Sequence, residues 1–202
     1  MTKKEIKQAN DGRKKEYAAM QEVDRQIQNI INSLENTGRL ANTYIIYTSD
    51  QGYLFGEHRL GGKNCMYDEC IHIPFYVRGP NMVPHLDSNL ISNVDLAPTI
   101  IELAGIAKPS GLNGLSFVPL LTNSSDSWRD SVFVEVLGES PKEAHAHAVR
   151  TKQYLYAEYK NGDKEFYDLA IDPYQLESKH NDPAYASIIT GLKAKLEEYK
   201  TQ

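Results

Sequence analysis

Cysteine, tryptophan and long apolar runs are scarce in this sequence. The 202 residues include two cysteines and one tryptophan. Cys65 and Cys70 cannot build the multi-bridge framework that staples small secreted domains, and they say little about compartment. No window approaches the roughly 18 to 20 continuous apolar residues of a membrane-spanning helix. Dense basic runs are missing beyond the first fifteen residues, and 22 basic against 27 acidic side chains leave a formal net charge of -5. That balance gives no reason to expect nucleic acid. Met1 to Lys15 is polar and lysine-rich, with no apolar stretch after it, and does not read as a secretory signal. Internal repeats and low-complexity tracts are absent too. What remains is ordinary for a globular chain, 41% hydrophobic and 24% charged, with thirteen tyrosines as the one oddity. Its length allows roughly 70% of the unfolded surface to be buried.

Hydrophobic spacing organises the chain. Residues 1–13 carry many charges and are expected to form a flexible tail. Tyr17, Met20, Val23, Ile27, Ile30, Ile31 and Leu34 recur at three- and four-residue steps, which predicts an amphipathic helix ending near Gly38. Tyr44 to Thr48 is a β-branched and aromatic run without alternation, the pattern of a strand buried on both faces in a parallel sheet. Ile73 to Val77 predicts a second buried strand. Asp95 to Gly105 predicts a helix, with Asp95 as N-cap and Gly105 closing it. Pro109 to Ser127 reads as a long surface crossing. Four short strands follow, at Val132–Val136, His145–Arg150, Tyr154–Tyr159 and Glu165–Leu169, with an Asn161-Gly162 turn between the last two. An amphipathic helix over about 183–199 closes the chain. The pattern predicts an α/β fold: a layered α/β part over 14–127, then a small antiparallel sheet with a terminal helix over 128–202.

Thr48-Ser49-Asp50-Gln51-Gly52 directly follows the first predicted strand. Ligands collect at the carboxyl ends of strands in open α/β sheets, and a carboxylate beside an amide oxygen offers two hard ligands to Ca²⁺ or Mg²⁺. The same five residues also suit an Asx-turn in which Asp50 only caps backbone N–H groups, and both readings stay open. Gly56-Glu57-His58-Arg59-Leu60-Gly61-Gly62-Lys63 follows, with Lys63 suited to a tetrahedral anion and His58 able to exchange a proton; a solvated basic loop fits equally. Cys65 and Cys70 read as packing residues rather than a zinc or redox pair. His145 and His147 share one strand face and read as exposed polar residues. His72 and Asp24 read as packing or hydrogen-bonding groups. Tyr154, Tyr156, Tyr159 and Tyr167 read as cross-strand packing.

Taken together, these stretches resemble a known family. The run from Thr48 to Pro80 (TSDQGYLFGEHRLGGKNCMYDECIHIPFYVRGP), with Asn93–Thr99, Leu112–Leu121, Trp128-Arg129, Glu165–Leu169 and Asp172–Tyr174, resembles the type I sulfatases of the alkaline-phosphatase-like superfamily. The resemblance covers about residues 14–200 and implies that this part is the C-terminal portion of such an enzyme. It implies that Asp50 and Gln51 are metal ligands, most often for Ca²⁺, with Gln51 standing where Asn is commoner. It implies that Lys63 contacts the sulfate and His58 the substrate. Members of the family are often exported or lysosomal.

Sulfatases carry a formylglycine nucleophile made from Cys or Ser in a C/S-x-P/A-x-R motif. Here Cys65 begins Cys-Asn-Met-Tyr-Asp and Cys70 begins Cys-Ile-His-Ile-Pro; neither fits, and no serine does. The paired aspartates that complete the family's metal site have no counterpart either. The expectation is a chain without its nucleophile, inactive alone, whose partners are a sulfate-ester substrate and either a missing N-terminal half or a second copy. A phosphoryl-ester hydrolase of the same superfamily and a non-catalytic anion- or partner-binding fragment are the alternatives.

Overall fold

The computed structural model describes residues 2–122, 127–138 and 145–201. The chain forms two compact units, one of residues 1–63 and 72–82, the other of residues 64–71 and 83–202. In the first, helix α1 spans Lys3–Asn36. The expected flexible tail over 1–13 is therefore corrected: the helix begins at Lys3. A capping box starts it, Glu5 N–H donating to Thr2 Oγ1 (3.3 Å) and Thr2 N–H to the Glu5 carboxylate (2.6 Å). Arg13, paired with Glu57 and lying over the Phe55 ring, anchors the fourth turn. The C-terminus follows expectation. Gly38, at φ +67°, donates to Glu35 and Arg39 donates to Leu34, so the last carbonyls are satisfied.

No α1 residue is buried. Among the described residues, no helix is long and apolar enough to cross a membrane. Strand β1 (Ile45–Thr48) pairs with β4 (Phe75–Arg78), and β2 (Leu54–Phe55) pairs with β3 (Gly61–Gly62). Both pairs are antiparallel, with Ile45 opposite Arg78 and Thr48 opposite Phe75. This corrects the expectation of doubly buried parallel strands: β1 is half-buried throughout, and β4 alternates between half-buried and exposed. Composition marks a strand, but its direction and cover depend on distant neighbours.

The second unit is better packed. Cys65 and Cys70 are buried and joined by a disulfide, Cα to Cα 5.8 Å, around the start of helix α2 (Asp68–Ile71). Packing residues were expected; the bond between them was not. Asp68 receives two hydrogen bonds from Arg150 (3.1 and 3.0 Å), and its N–H donates to Gln175 Oε1 (2.7 Å). Helix α3 (Leu96–Leu103) follows a 3-10 turn, Asn93–Asp95. Asp95 stands at its N-cap position, as expected, but its side chain makes no capping hydrogen bond to α3. Ser92 starts the segment, and the Asp95 carboxylate sinks fully into the interior. There it accepts the N–H groups of Ser92 (2.8 Å) and Leu115 (2.7 Å) and the Arg129 guanidinium (2.7 Å). Gly105, at φ +69°, closes the helix as expected.

The segment read as a surface crossing is partly tied down instead. Phe117 N–H donates to the buried Thr99 hydroxyl (3.0 Å), and helix α4 (Val118–Leu121) follows. Residues 123–126 of that segment lie outside the described residues.

Strands β5 (Ser131–Val136), β6 (Ala146–Thr151), β7 (Tyr154–Tyr159) and β8 (Lys164–Asp168) form one antiparallel sheet in sequence order, as expected. Gly162, at φ +94°, turns the chain between the last two. Both faces are covered, because alternate residues point opposite ways. Val136, Ala148, Leu155 and Tyr167 pack with Met66 on one side. Val149, Tyr156 and Phe166 pack on the other with Leu192 and Leu196 of helix α5 (Ala186–Lys200). The Tyr67 and Tyr159 hydroxyls both donate to Glu165 (3.2 and 2.9 Å); burial and that carboxylate push Tyr67 up to about 12. His147 pairs with Glu135 (2.8 Å) on a partly exposed edge. Across the expected border at 127/128, Arg129 and Trp128 bond back to Asp95 and Leu90 within the second unit.

Candidate functional site

The candidate residues all lie in the first unit, on the stretch that leaves β1. After Thr48 the chain leaves the β1–β4 ladder and is held by local polar contacts. Ser49 Oγ donates to the Gln51 carbonyl (2.8 Å), and Asp50 Oδ1 accepts the Gln51 N–H (2.9 Å). Asp50 is exposed and Gln51 half-buried. The turn reading and the ligand reading are thus compatible in one residue: Oδ1 is used by the backbone while Oδ2 faces no hydrogen-bond donor among the described residues. Two adjacent oxygen donors make part of a hard-cation shell. They fall well short of the six to eight that Ca²⁺ takes, and no group of three or more His, Cys, Asp or Glu converges among the described residues.

The next loop is built on unusual backbone. Leu54 and Phe55 pair with Gly62 and Gly61, closing a tight excursion over 56–60. Within and just beyond it, Gly56 (φ 114°), His58 (φ 52°), Arg59 (φ 60°), Gly62 (φ 102°) and Asn64 (φ 69°) all have positive φ. The left-handed region costs a residue with a Cβ about 1–2 kcal/mol, and two such residues in succession need an external hold. Glu57 supplies it. One carboxylate oxygen pairs with Arg13 and the other accepts the Phe55 N–H (2.6 Å). Gly12 allows the close approach, since a Cβ there would lie 3.3 Å from the Phe55 ring. His58 is half-buried and Lys63 exposed. Asp50 and Gln51 are thus in direct contact, while His58 and Lys63 are carried by the kinked loop and its exit.

Sequence reasoning missed Arg13 and Glu57. Glu57 was visible inside Gly-Glu-His, but its partner lies 44 positions away in the segment read as a tail, so no local signal could join them.

Residues 2–106 match the sulfatase family, and residues 56–202 match the family described as N-sulphoglucosamine sulphohydrolase, C-terminal. The chain belongs to the sulfatase family. It is 34% identical over 190 residues to an N-acetylglucosamine-6-O-sulfatase of Bacteroides thetaiotaomicron, covering 89% of this chain and 34% of that relative. It is 35% identical to arylsulfatase K of Xenopus laevis, covering 79% of this chain and 32% of that one. Among solved structures it is similar to a protein in complex with its substrate D-glucosamine-2-N,6-O-disulfate (TM-score 0.80, 32% identity, 89% of this chain and 38% of that one). It is also similar to the phosphonate monoester hydrolase of Agrobacterium radiobacter (TM-score 0.81, 28% identity, 90% and 39%). The sulfatase chain therefore spans about a third of the length of these curated relatives. The α/β fold of the alkaline-phosphatase-like superfamily, with its small antiparallel sheet and terminal helix, agrees with the sequence reading.

Proposed function

We propose that this chain is the C-terminal portion of a sulfuric ester hydrolase acting on a sulfated carbohydrate or aryl alcohol. Membership of the sulfatase family carries the reading. The sulfated glucosamine bound by one structural neighbour favours a sugar ester over an aryl one. In this proposal Asp50 and Gln51 give two oxygen ligands to a divalent cation, Ca²⁺ or Mg²⁺. Bound there, the cation would offset charge on the sulfuryl oxygens. Lys63 holds the sulfate as a point charge on a long stem, and His58 touches the substrate. Neither cysteine is available as a formylglycine precursor, since the two are bonded to each other and neither fits the motif. The nucleophile and the remaining metal ligands are proposed to lie in the part of the family's length that this chain does not span.

The exposed stripe of α1 supports that arrangement. Tyr17 is 66% exposed and Ile30 56%, with Met20 and Val23 beside them. An apolar stripe of this kind marks an interaction surface. We propose that the rest of the sulfatase core covers it, with self-association as the competing occupant.

A second reading has its own observation. The likeness to a phosphonate monoester hydrolase supports a phosphorus ester as substrate on the same residues. Calorimetry with glucosamine 6-sulfate and glucosamine 6-phosphate separates the two, run in millimolar Ca²⁺ with Lys63→Ala and Asp50→Ala. Preference for the sulfate, weakened at least tenfold in Lys63→Ala, is the expected result. Preference for the phosphate would replace the sulfatase reading. Calcium binding that Asp50→Ala leaves unchanged would remove Asp50 from the metal site.

A further inference from the structure

The kinked loop has a second side, away from the β1 turn. A cavity of about 430 Å³ lies between the first turns of α1 and residues 53–61, wholly within the first unit. That volume is within the roughly 300–1,000 Å³ usual for small-molecule sites. Its chemistry is mixed in a particular way. Tyr53 and Phe55 form a tilted aromatic pair, centroids 4.7 Å apart, and Tyr53 is 51% exposed. Gln8 and Glu5 line the helical wall, and Arg59 the loop wall. Arg59 has no ion-pair partner among the described residues, unlike Arg13 next door, whose charge is taken by Glu57. The Glu5 carboxylate is occupied by the Thr2 N–H at the helix start, which holds it below the usual carboxylate range.

These are the groups that a pyranose carrying an acid requires. An aromatic face stacks on the ring's C–H side, an amide and a carboxylate meet its hydroxyls, and a guanidinium takes a carboxylate in two parallel hydrogen bonds. The backbone supports a built arrangement. Arg59 stands on the cavity wall because residues 58–59 are both left-handed, and the Arg13–Glu57–Phe55 contacts hold them so.

We infer that the cavity walled by Gln8, Tyr53, Phe55 and Arg59 is a subsite for an acidic sugar, the neighbour of the sulfated residue in a glycan. The assignment deepens the proposed function and rests on it for the identity of that neighbour. The subsite itself can be probed without sulfate.

The test is calorimetry on the full chain at low ionic strength with an unsulfated disaccharide of glucuronic acid and N-acetylglucosamine, beside the neutral disaccharide of two N-acetylglucosamines. Saturable binding of the acidic disaccharide is expected. Tyr53→Ala and Gln8→Ala should weaken it at least fivefold, and Arg59→Gln should erase the preference over the neutral sugar. All three side chains are at least half exposed or at the surface, and circular dichroism melts check that each variant folds. No saturable binding of the acidic disaccharide, or binding that none of the three variants alters, overturns the subsite. Binding of glucosamine 6-sulfate and its loss in Lys63→Ala report separately on the proposed function, so either idea can fail while the other stands.

Discussion

The two units make opposite use of the same kind of sequence. Helix α1 and helix α5 both carry apolar residues at helical spacing, yet α1 buries none of its side chains while α5 sinks Leu192 and Leu196 against Val149, Tyr156 and Phe166. Strand β1 is richer in β-branched residues than β7, yet β1 is half-buried with one neighbour while Leu155, Tyr156 and Ala157 of β7 are fully enclosed between two. Apolar pattern states what an element can bury; the partner decides whether it does. The second unit has its partners within the described residues. The first unit, which holds the candidate site, keeps an apolar stripe in water.

The sharpest way to break this contrast is at Asp95. Its carboxylate ties Ser92, Leu115 and Arg129 together in the interior of the second unit. Asp95→Ala leaves Arg129 and two backbone N–H groups without their acceptor and is expected to cost about 3–5 kcal/mol. Trp128, the single tryptophan, donates its indole N–H to Leu90 in the same unit, so its fluorescence during urea unfolding reads that unit directly. An unchanged midpoint would show that the Asp95 hub is not what holds residues 92–129 together.

A paired comparison comes next. Leu196→Ala is expected to cost about 2–5 kcal/mol, as large-to-small changes in packed cores do. Ile30→Ala on α1, over half exposed, should stay within about 0.5 kcal/mol. Urea denaturation of both variants gives the difference. Equal losses would mean that the α1 stripe is covered in solution, and sedimentation of the unmodified chain would then show the covering copy.

The smallest effect expected is electrostatic. Lys195 donates to both oxygens of Asp130 (2.6 and 2.5 Å), and that contact holds the Asp130 carboxyl below its ordinary value. A depressed folded-state value means the contribution is fully present above the unfolded carboxylate range and is lost as pH falls through the folded value. Asp130 is largely exposed, so solvent screening limits the pair to under about 1 kcal/mol. Lys195→Met should therefore lower stability slightly at pH 7 and not at all in strong acid. A difference that persists undiminished at pH 2 would assign the effect to packing of the lysine stem.

Much of the architecture was legible in the residues. The four C-terminal strands, the turn at Gly162, the closing helix and the stop at Gly38 all follow from local chemistry: β-branched runs, a glycine free to take positive φ, and three- and four-residue spacing. The start of α1 at Lys3 was legible in principle, since Thr2 and Glu5 make a capping box that the surrounding lysines obscured. At the candidate site, Asp50, Gln51, His58 and Lys63 could be named from a strand end, a glycine-rich loop and the family resemblance. The left-handed pair His58–Arg59 could not, because side chains with a Cβ give no advance sign of such backbone. Nor could the hold of Glu57 by Arg13, or the buried links of the Asp95 carboxylate to Leu115 and Arg129, because each depends on a partner far along the chain.

By itself, then, the sequence determined the longer helices, the C-terminal strands and the family to which the chain belongs, since each follows from short-range patterns and spaced motifs. Only the tertiary structure decided that β1 and β4 run antiparallel, that Cys65 and Cys70 are joined, and that a cavity walled in part by Arg59 opens beside the kinked loop. The physical reason is range. Local propensity acts over a few residues, whereas strand direction, ion pairing and burial are set by groups brought together from tens of positions apart.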